Sequence, residues 1–243
     1  MIRTAIIAIG LSIYTLLVGP PMILHAMFTG SVEKLYWAGV HGVIFFTRLV
    51  GLRVRVEGLD NIPPGVCLFV ANHTSNADAP AIVGSIPRRI AILAKRSIFS
   101  IPIVGYAFRM AHFVPVDRRN RESAMASVEL AAKYLREGTS YLAYPEGTRS
   151  PDGRLQAFKK GTFVMAIKAG ANVVPVACSG AHRIMKKNSL TIHPGDVVVH
   201  FLPPIDASAY TLEQRDELSL RAHAALAAAL PPDQKPLAAN PLA

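Results

Sequence analysis

The run Val66-Cys67-Leu68-Phe69-Val70-Ala71, followed at once by Asn72-His73-Thr74-Ser75-Asn76-Ala77-Asp78, decides how this chain is read. An apolar stretch of this length without alternation is the mark of a strand buried on both faces. The polar residues after it form a corner, and residues 79–86 read as a helix. His73 and Asp78 are five positions apart, which on a continuous helix is a separation of about 140°. Facing helical side chains are three or four apart. The spacing therefore predicts His73 in the turn and Asp78 in the first turn of the helix. Pro80 agrees, because proline is tolerated early in a helix. At such a corner an imidazole can take a proton while a carboxylate fixes its tautomer and stabilises the imidazolium. A His–Asp pair is a weak signal alone in a chain with eight histidines, and a corner histidine satisfied by its neighbours is the competing reading.

Strand and helix signals alternate on either side of this corner. Arg53-Val54-Arg55-Val56-Glu57 alternates polar and apolar, as an edge or half-exposed strand does. Residues 90–94, 112–116, 140–144, 172–177 and 197–202 read as further strands. Helices are predicted over residues 98–110, with a start broken by Pro102 and Gly105, and over 121–136, 162–169 and 212–230. The clearest is 121–136, where Asn120 serves as cap, Met125, Val128, Ala132 and Leu135 make the apolar stripe, and Gly138 ends it. This alternation predicts an α/β layered domain with a largely parallel central sheet. Ligands of such sheets gather beyond the carboxyl ends of the strands. Three polar clusters, at His73, at Asp117-Arg118-Arg119 and at Glu146 to Ser150, each follow an apolar run and are expected to converge on one cleft.

The N-terminal segment differs in kind. No Asp, Glu, Lys or Arg occurs from Thr4 through Val32, a length sufficient for a bilayer. Gly19-Pro20-Pro21 interrupts it and is expected to break it into halves too short to span alone. Three readings stand: a kinked single span, a re-entrant or interfacial hairpin, or a signal peptide, the last disfavoured because no A-x-A cleavage site follows. Residues 35–50 mix Tyr36, Trp37, Phe45 and Phe46 with His41 and Arg48. They suit either a membrane interface or a core helix. The expected organisation is an apolar membrane-anchoring helical segment over 1–50, a main domain over 51–230, and a disordered Pro- and Ala-rich tail over 231–243.

Composition narrows the chemistry. The 243 residues are 51% hydrophobic, enough for a sizeable core, and carry a net charge of +10, which suits an anionic membrane surface or phosphorylated ligands. Cys67 and Cys178 each lie in an apolar run and read as buried thiols rather than a disulfide or a metal pair. The histidines lack metal-ligand spacing, and no P-loop, G-x-G-x-x-G or G-x-S-x-G pattern occurs. The basic run at 118–121 has no interleaved aromatics, so a nucleic-acid partner is not expected. Arg118 and Arg149 are candidate phosphate ligands, since a guanidinium grips phosphate with paired hydrogen bonds. In Pro145-Glu146-Gly147-Thr148-Arg149-Ser150, glycine permits close backbone approach and the hydroxyls add donors. Lys95 is a third candidate cation. For each of these cations, a solvated surface residue is the competing reading.

Taken in order, these blocks resemble the 1-acyl-glycerol-3-phosphate acyltransferase family of glycerolipid acyltransferases. The resemblance covers roughly residues 50–205. The stretch from Asn72 to Asp78 looks like the family's H-x-x-x-x-D block. Phe113-Val114-Pro115-Val116-Asp117-Arg118 is similar to the second block, Tyr144 to Ser150 to the third, and Val173-Val174-Pro175-Val176 to the fourth. Residues 95–105 resemble the stretch between the first two. Ser97 and Ile98 stand where members often carry an acidic residue and leucine.

The resemblance implies a glycerol-3-phosphate acyltransferase-like α/β domain. It would move an acyl group from acyl-CoA or acyl-carrier protein to the sn-2 hydroxyl of lysophosphatidic acid, forming phosphatidic acid, with no metal or bound cofactor. It implies His73 as general base and Asp78 as its orienting partner. Lys95, Arg118, Glu146, Gly147, Thr148 and Arg149 would form the acceptor site. Oxyanion donors are expected among the backbone N–H groups at the start of the helix after His73. The expected location is the inner membrane, with the catalytic domain on its cytoplasmic side. Acylation of another lysolipid, such as a lyso-ornithine lipid, and a non-catalytic lipid-binding scaffold are the alternatives.

Overall fold

The computed structural model describes residues 1–117, 120–237 and 242. Helices α1 (Ile2–Thr29) and α2 (Glu33–Leu49) precede the strands. Then come β1 (Leu52–Glu57), β2 (Cys67–Ala71), α3 (Asp78–Val83), β3 (Ile90–Lys95), α4 (Val104–Met110), β4 (Val114–Val116), α5 (Arg121–Arg136) and β5 (Ser140–Ala143). The chain continues through α6 (Gly161–Ala169), β6 (Asn172–Ser179), α7 (Ala181–Ile184), β7 (Gly195–Phe201), β8 (Ile205–Asp206) and α8 (Arg215–Ala229). The strands form one sheet in the order β1-β7-β6-β2-β5-β3-β4, with β8 added against β6. Every pairing is parallel except β6 with β7 and β6 with β8. The layered, largely parallel domain expected from the sequence is therefore the observed one.

β2 lies at the centre because both of its faces are apolar. All five residues are buried, and strand alternation sends them to opposite sides. Leu68 and Val70 join a core with Ala131, Leu135, Phe163 and Leu218 under α5, α6 and α8. Cys67, Phe69 and Ala71 join a second core with Tyr36, Ile82 and Phe201 under α2 and α3. Register then sets the functional edge. Val70 pairs Ala143 on β5 and Pro175 on β6, while Ile92 on β3 pairs Leu142. The segments that leave the carboxyl ends of β2, β3 and β5 emerge side by side. Asn120 caps α5 as read, its side chain accepting the Ser123 N–H.

Gly19-Pro20-Pro21 does not break the first segment. α1 is continuous through both prolines for 28 residues, about 42 Å at 1.5 Å per residue. Prolines lose helical donors and crowd the preceding turn, but packing against a neighbour holds such a helix together. Here the neighbour is α2, and glycines permit the approach. A Cβ on Gly10 would lie 2.2 Å from Phe46, and one on Gly42 would lie 2.4 Å from Tyr14. The hairpin is thus made between α1 and α2 rather than within the first segment. Ile6, Ile9, Ile13, Leu16, Leu17, Leu24, Met27 and Phe28 stay exposed along α1, which is long and apolar enough to cross a membrane. α2 does two jobs: Leu35 and Tyr36 are buried, with the Tyr36 hydroxyl accepting the Ile90 N–H, whereas Phe45 and Leu49 face outward.

Two further findings depart from the sequence reading. Ile103 adopts φ 66° and ψ −61°, a γ-turn closed by the Val104 N–H donating to the Pro102 carbonyl at 2.7 Å. A β-branched residue here costs about 1–3 kcal/mol and persists only when its surroundings over-determine it. The notch at Gly19 does so, since a Cβ there would lie 2.4 Å from Ile103 Cγ2. The expected tail is also ordered over residues 231–237. Gln234 is 1% exposed. Its carbonyl accepts the Leu155 N–H, its Oε1 accepts the Gly180 N–H, and its amide donates to the Gly153 carbonyl. A low-hydrophobicity segment is held here by satisfying backbone groups of two loops, which composition does not reveal. Gln234→Ala removes the partners of both glycines and is expected to cost about 1–3 kcal/mol, read as a lowered melting temperature.

Candidate active site

The corner after β2 is built around the Asp78 carboxylate, which is 0% exposed. Its Oδ2 accepts the Thr74 N–H at 2.7 Å, the Ser75 N–H at 2.8 Å and His73 Nδ1 at 2.9 Å. Its Oδ1 accepts the Thr74 hydroxyl at 3.3 Å and faces Cys178 Sγ at 3.7 Å. A carboxylate only accepts, so Nδ1 carries the proton and Nε2 presents its lone pair. The sequence places the imidazole ahead of α3 and the carboxylate at its start, and the structure brings the two together in that way.

The ring is fixed from several sides. It stacks on Tyr144 with centroids 4.0 Å apart and planes 21° from parallel. The His73 side chain keeps 15% exposure, so one edge reaches solvent. Its main chain is clasped by the loop after β5: the His73 N–H donates to Glu146 Oε1 at 2.7 Å, and the His73 carbonyl accepts the Ser150 N–H at 2.7 Å. Gly147, Thr148 and Arg149 are the residues between these two anchors. Gly147 has φ 72°, in the left-handed region, and a Cβ there would lie 3.1 Å from the Lys159 side chain. On the other flank, Asn72 and Cys178 exchange two hydrogen bonds of 2.8 Å, locking β2 to β6 at the corner.

Glu146 is buried and bridges this loop. Oε2 accepts Gln156 Nε2 at 2.8 Å, and the same amide reaches the Thr148 carbonyl at 3.3 Å. Burial pushes the Glu146 carboxyl up to about 8, against the opposing pull of the N–H groups from His73 and Gln156. Burial also pushes the Tyr144 phenol well above its ordinary value, and among the described residues its hydroxyl has no hydrogen-bond partner.

The other candidates stand at the same edge. Lys95 ends β3, exposed, in register with Val116. Thr148 is exposed and Arg149 half-buried, and the guanidinium of Arg149 makes no ion pair among the described residues. Arg118 lies outside the described residues. The expectation of oxyanion donors at this corner is narrowed. The N–H groups of Thr74 and Ser75 serve Asp78, that of Ala77 donates to Ser75 Oγ, and that of Asp78 donates to the Ser75 carbonyl. These donors build the corner and are not left for an oxyanion. Tyr144 and Gln156 are members of the site without an assigned role in the sequence reading. Tyr144 stands at the head of the third block, but Gln156 returns from ten residues along a loop and carries no local signal.

A family model described as Acyltransferase matches residues 53–179. A 1-acyl-sn-glycerol-3-phosphate acyltransferase of Limnanthes alba is 30% identical over 205 residues, 84% of this chain and 72% of that protein. The enzyme of that name from Escherichia coli (strain K12) is 33% identical over 173 residues, 70% of each chain. The crystal structure of the 1-acyl-sn-glycerophosphate (LPA) acyltransferase PlsC from Thermotoga maritima superposes with a TM-score of 0.75 at 27% identity, covering 90% of this chain and 92% of that one.

The buried Glu146 gives a pH signature. Its raised carboxyl holds a proton in the folded state at pH values where the unfolded chain has released it, between about 4.5 and about 8. Its contribution is therefore complete below that window and lost as pH rises through it. Melting temperatures of wild type and Glu146→Gln, compared at pH 5 and pH 8, are expected to show a steeper alkaline decline in the wild type. Parallel declines would exclude Glu146 as the source.

Proposed function

This chain belongs to the acyltransferase family, and from that premise we propose that it acylates the sn-2 hydroxyl of 1-acyl-glycerol-3-phosphate to give phosphatidic acid. The observation that carries the mechanism is the 2.9 Å contact of His73 Nδ1 with Asp78, which leaves Nε2 free at the carboxyl edge of the sheet. The acceptor hydroxyl attacks the thioester carbonyl and gives its proton to His73 Nε2. A C–O bond forms, the C–S bond breaks, and the imidazolium returns the proton to the departing thiolate. Ester and free thiol are the products. Asp78 holds the tautomer and stabilises the imidazolium. No acyl-enzyme is needed, and the step calls for neither metal nor bound cofactor.

Arg149, Arg118 and Lys95 hold the acceptor's phosphate. Glu146 fixes the loop that carries Gly147, Thr148 and Arg149. The donor is a soluble thioester, acyl-CoA or acyl-carrier protein, and the acceptor lies in a bilayer, so the enzyme works at a membrane surface. α1 and α2, the anchoring segment of residues 1–50, supply the attachment through the exposed apolar face of α1. Basic residues add about 1 kcal/mol each toward anionic lipid. The catalytic domain faces the cytoplasmic side of the inner membrane, where the soluble donors are.

His73→Ala is expected to lower thioester-dependent phosphatidate formation by about 10²- to 10⁴-fold, the usual worth of a general base, and to lower the melting temperature because one donor to the buried Asp78 is lost. Wild-type turnover in that variant would eliminate the base. Arg149→Ala is expected to raise the acceptor KM about tenfold or more, as loss of a charge-assisted contact does. Its effect should vanish with a lysolipid acceptor lacking phosphate. An unaltered KM and kcat for lysophosphatidate would reject the phosphate role.

A further inference from the structure

A second concavity lies at the opposite edge of the same sheet from β1. It is a groove of about 560 Å³ beside β4, lined by Arg96, Phe99, Arg109, Phe113 and Tyr134 among others. That volume is in the range of small-molecule sites. Its charge has no compensating partner among the described residues. No acidic side chain lines it among the described residues. Arg96 is exposed and makes no ion pair among them. Among the described residues Arg109 engages neutral partners, donating to the Phe99 carbonyl at 3.0 Å and lying 6.0 Å from the centre of the Phe99 ring. Guanidinium groups beside aromatic faces suit a ligand that is both anionic and planar.

The groove is also firmly built. Residues Arg96–Ser100 and α4 supply one wall and α5 the other. The strained turn at Ile103 sets the start of α4 and is wedged into the Gly19 notch of α1. Backbone strain held in this way collects at ligand clamps.

Position relates the groove to the reaction. Arg96 directly follows Lys95 at the carboxyl end of β3, so this end of the groove lies at the edge of the sheet that carries the site. From β4 through β3 and β5 to β2 is three strand spacings, about 14 Å. The pantetheine arm of a thioester donor has about twelve bonds between phosphate ester and sulfur. At the reach of extended chain, about 3.5 Å for every three bonds, it also spans about 14 Å.

We propose that this groove binds the 3′-phosphoadenosine diphosphate end of acyl-coenzyme A, with Arg96 and Arg109 on its phosphates and the aromatic side chains beside adenine. The thioester is thereby delivered to His73. The inference rests on the acyltransferase reading and goes beyond it by assigning the donor and its anchoring residues. A carrier protein would instead need a broad docking face rather than a groove of this size.

The test uses the full-length protein in detergent micelles and Arg96→Glu, a change at an exposed position. Binding is measured by calorimetry with adenosine 3′,5′-bisphosphate. Transfer is measured with acyl-CoA, acyl-phosphopantetheine and acyl-carrier protein. The bisphosphate is expected to bind wild type, to compete with acyl-CoA and not with lysophosphatidate, and to bind the variant at least tenfold more weakly. The variant's KM for acyl-CoA should rise about tenfold while its KM for acyl-phosphopantetheine and for lysophosphatidate holds. Absence of bisphosphate binding to wild type overturns the assignment. So does a loss confined to acyl-carrier protein, which makes the groove a protein-docking face, or a raised KM for lysophosphatidate, which makes it a lipid head-group site. Failure of all transfer by wild type sinks the acyltransferase reading separately, because the binding measurement needs no turnover.

Discussion

Asp78 is the constraint around which the site is arranged. A carboxylate with no solvent exposure is expensive unless it is surrounded by donors. Here two main-chain N–H groups, a hydroxyl and an imidazole converge on it. Those contacts close the turn after β2, define the entry to α3 and set the tautomer of His73. Because the turn is tied to a buried charge, the histidine cannot relax without uncovering that charge. The same bonds explain why the first backbone N–H groups after His73 are not available to a substrate.

The sheet extends this constraint across neighbouring strands. Parallel register brings the ends of β2, β5 and β6 to one level. The Asn72–Cys178 exchange locks one flank, and the Glu146 and Ser150 contacts lock the other. The loop that carries Arg149 holds the main chain of His73 at both its N–H and its carbonyl. Glu146 accomplishes this at an electrostatic cost, visible as its raised carboxyl. The residues following β5 thus position His73 through its backbone.

The N-terminal hairpin is continuous with this architecture. α2 covers one face of the sheet through Tyr36 while α1 leans on it through glycine notches and leaves a long apolar flank uncovered. Contact between Gly19 and Ile103 joins that flank to α4, and α4 forms part of the groove beside β4. The long apolar helix and the walls of the second concavity are consequently features of one packed unit.

Several of these features were legible in sequence because they depend on local pattern. The unalternating run of β2 required burial on both faces. The five-residue spacing required a turn between His73 and Asp78. The charge-free stretch of residues 4–32 marked an apolar segment long enough to cross a membrane, which α1 is, and Asn120 marked a helix start. Other features depended on groups brought together from distant positions. Proline propensity argued for a break in α1, but Phe46 of α2 against Gly10 and Tyr14 of α1 against Gly42 of α2 hold an unbroken helix. Composition argued for disorder after residue 230, yet a single buried glutamine meets backbone groups at Gly153, Leu155 and Gly180. Gln156 entered the site only through loop closure. Periodicity and spacing report the solvent and the local backbone, whereas hydrogen bonds between segments far apart in the chain exist only once the sheet has set their register.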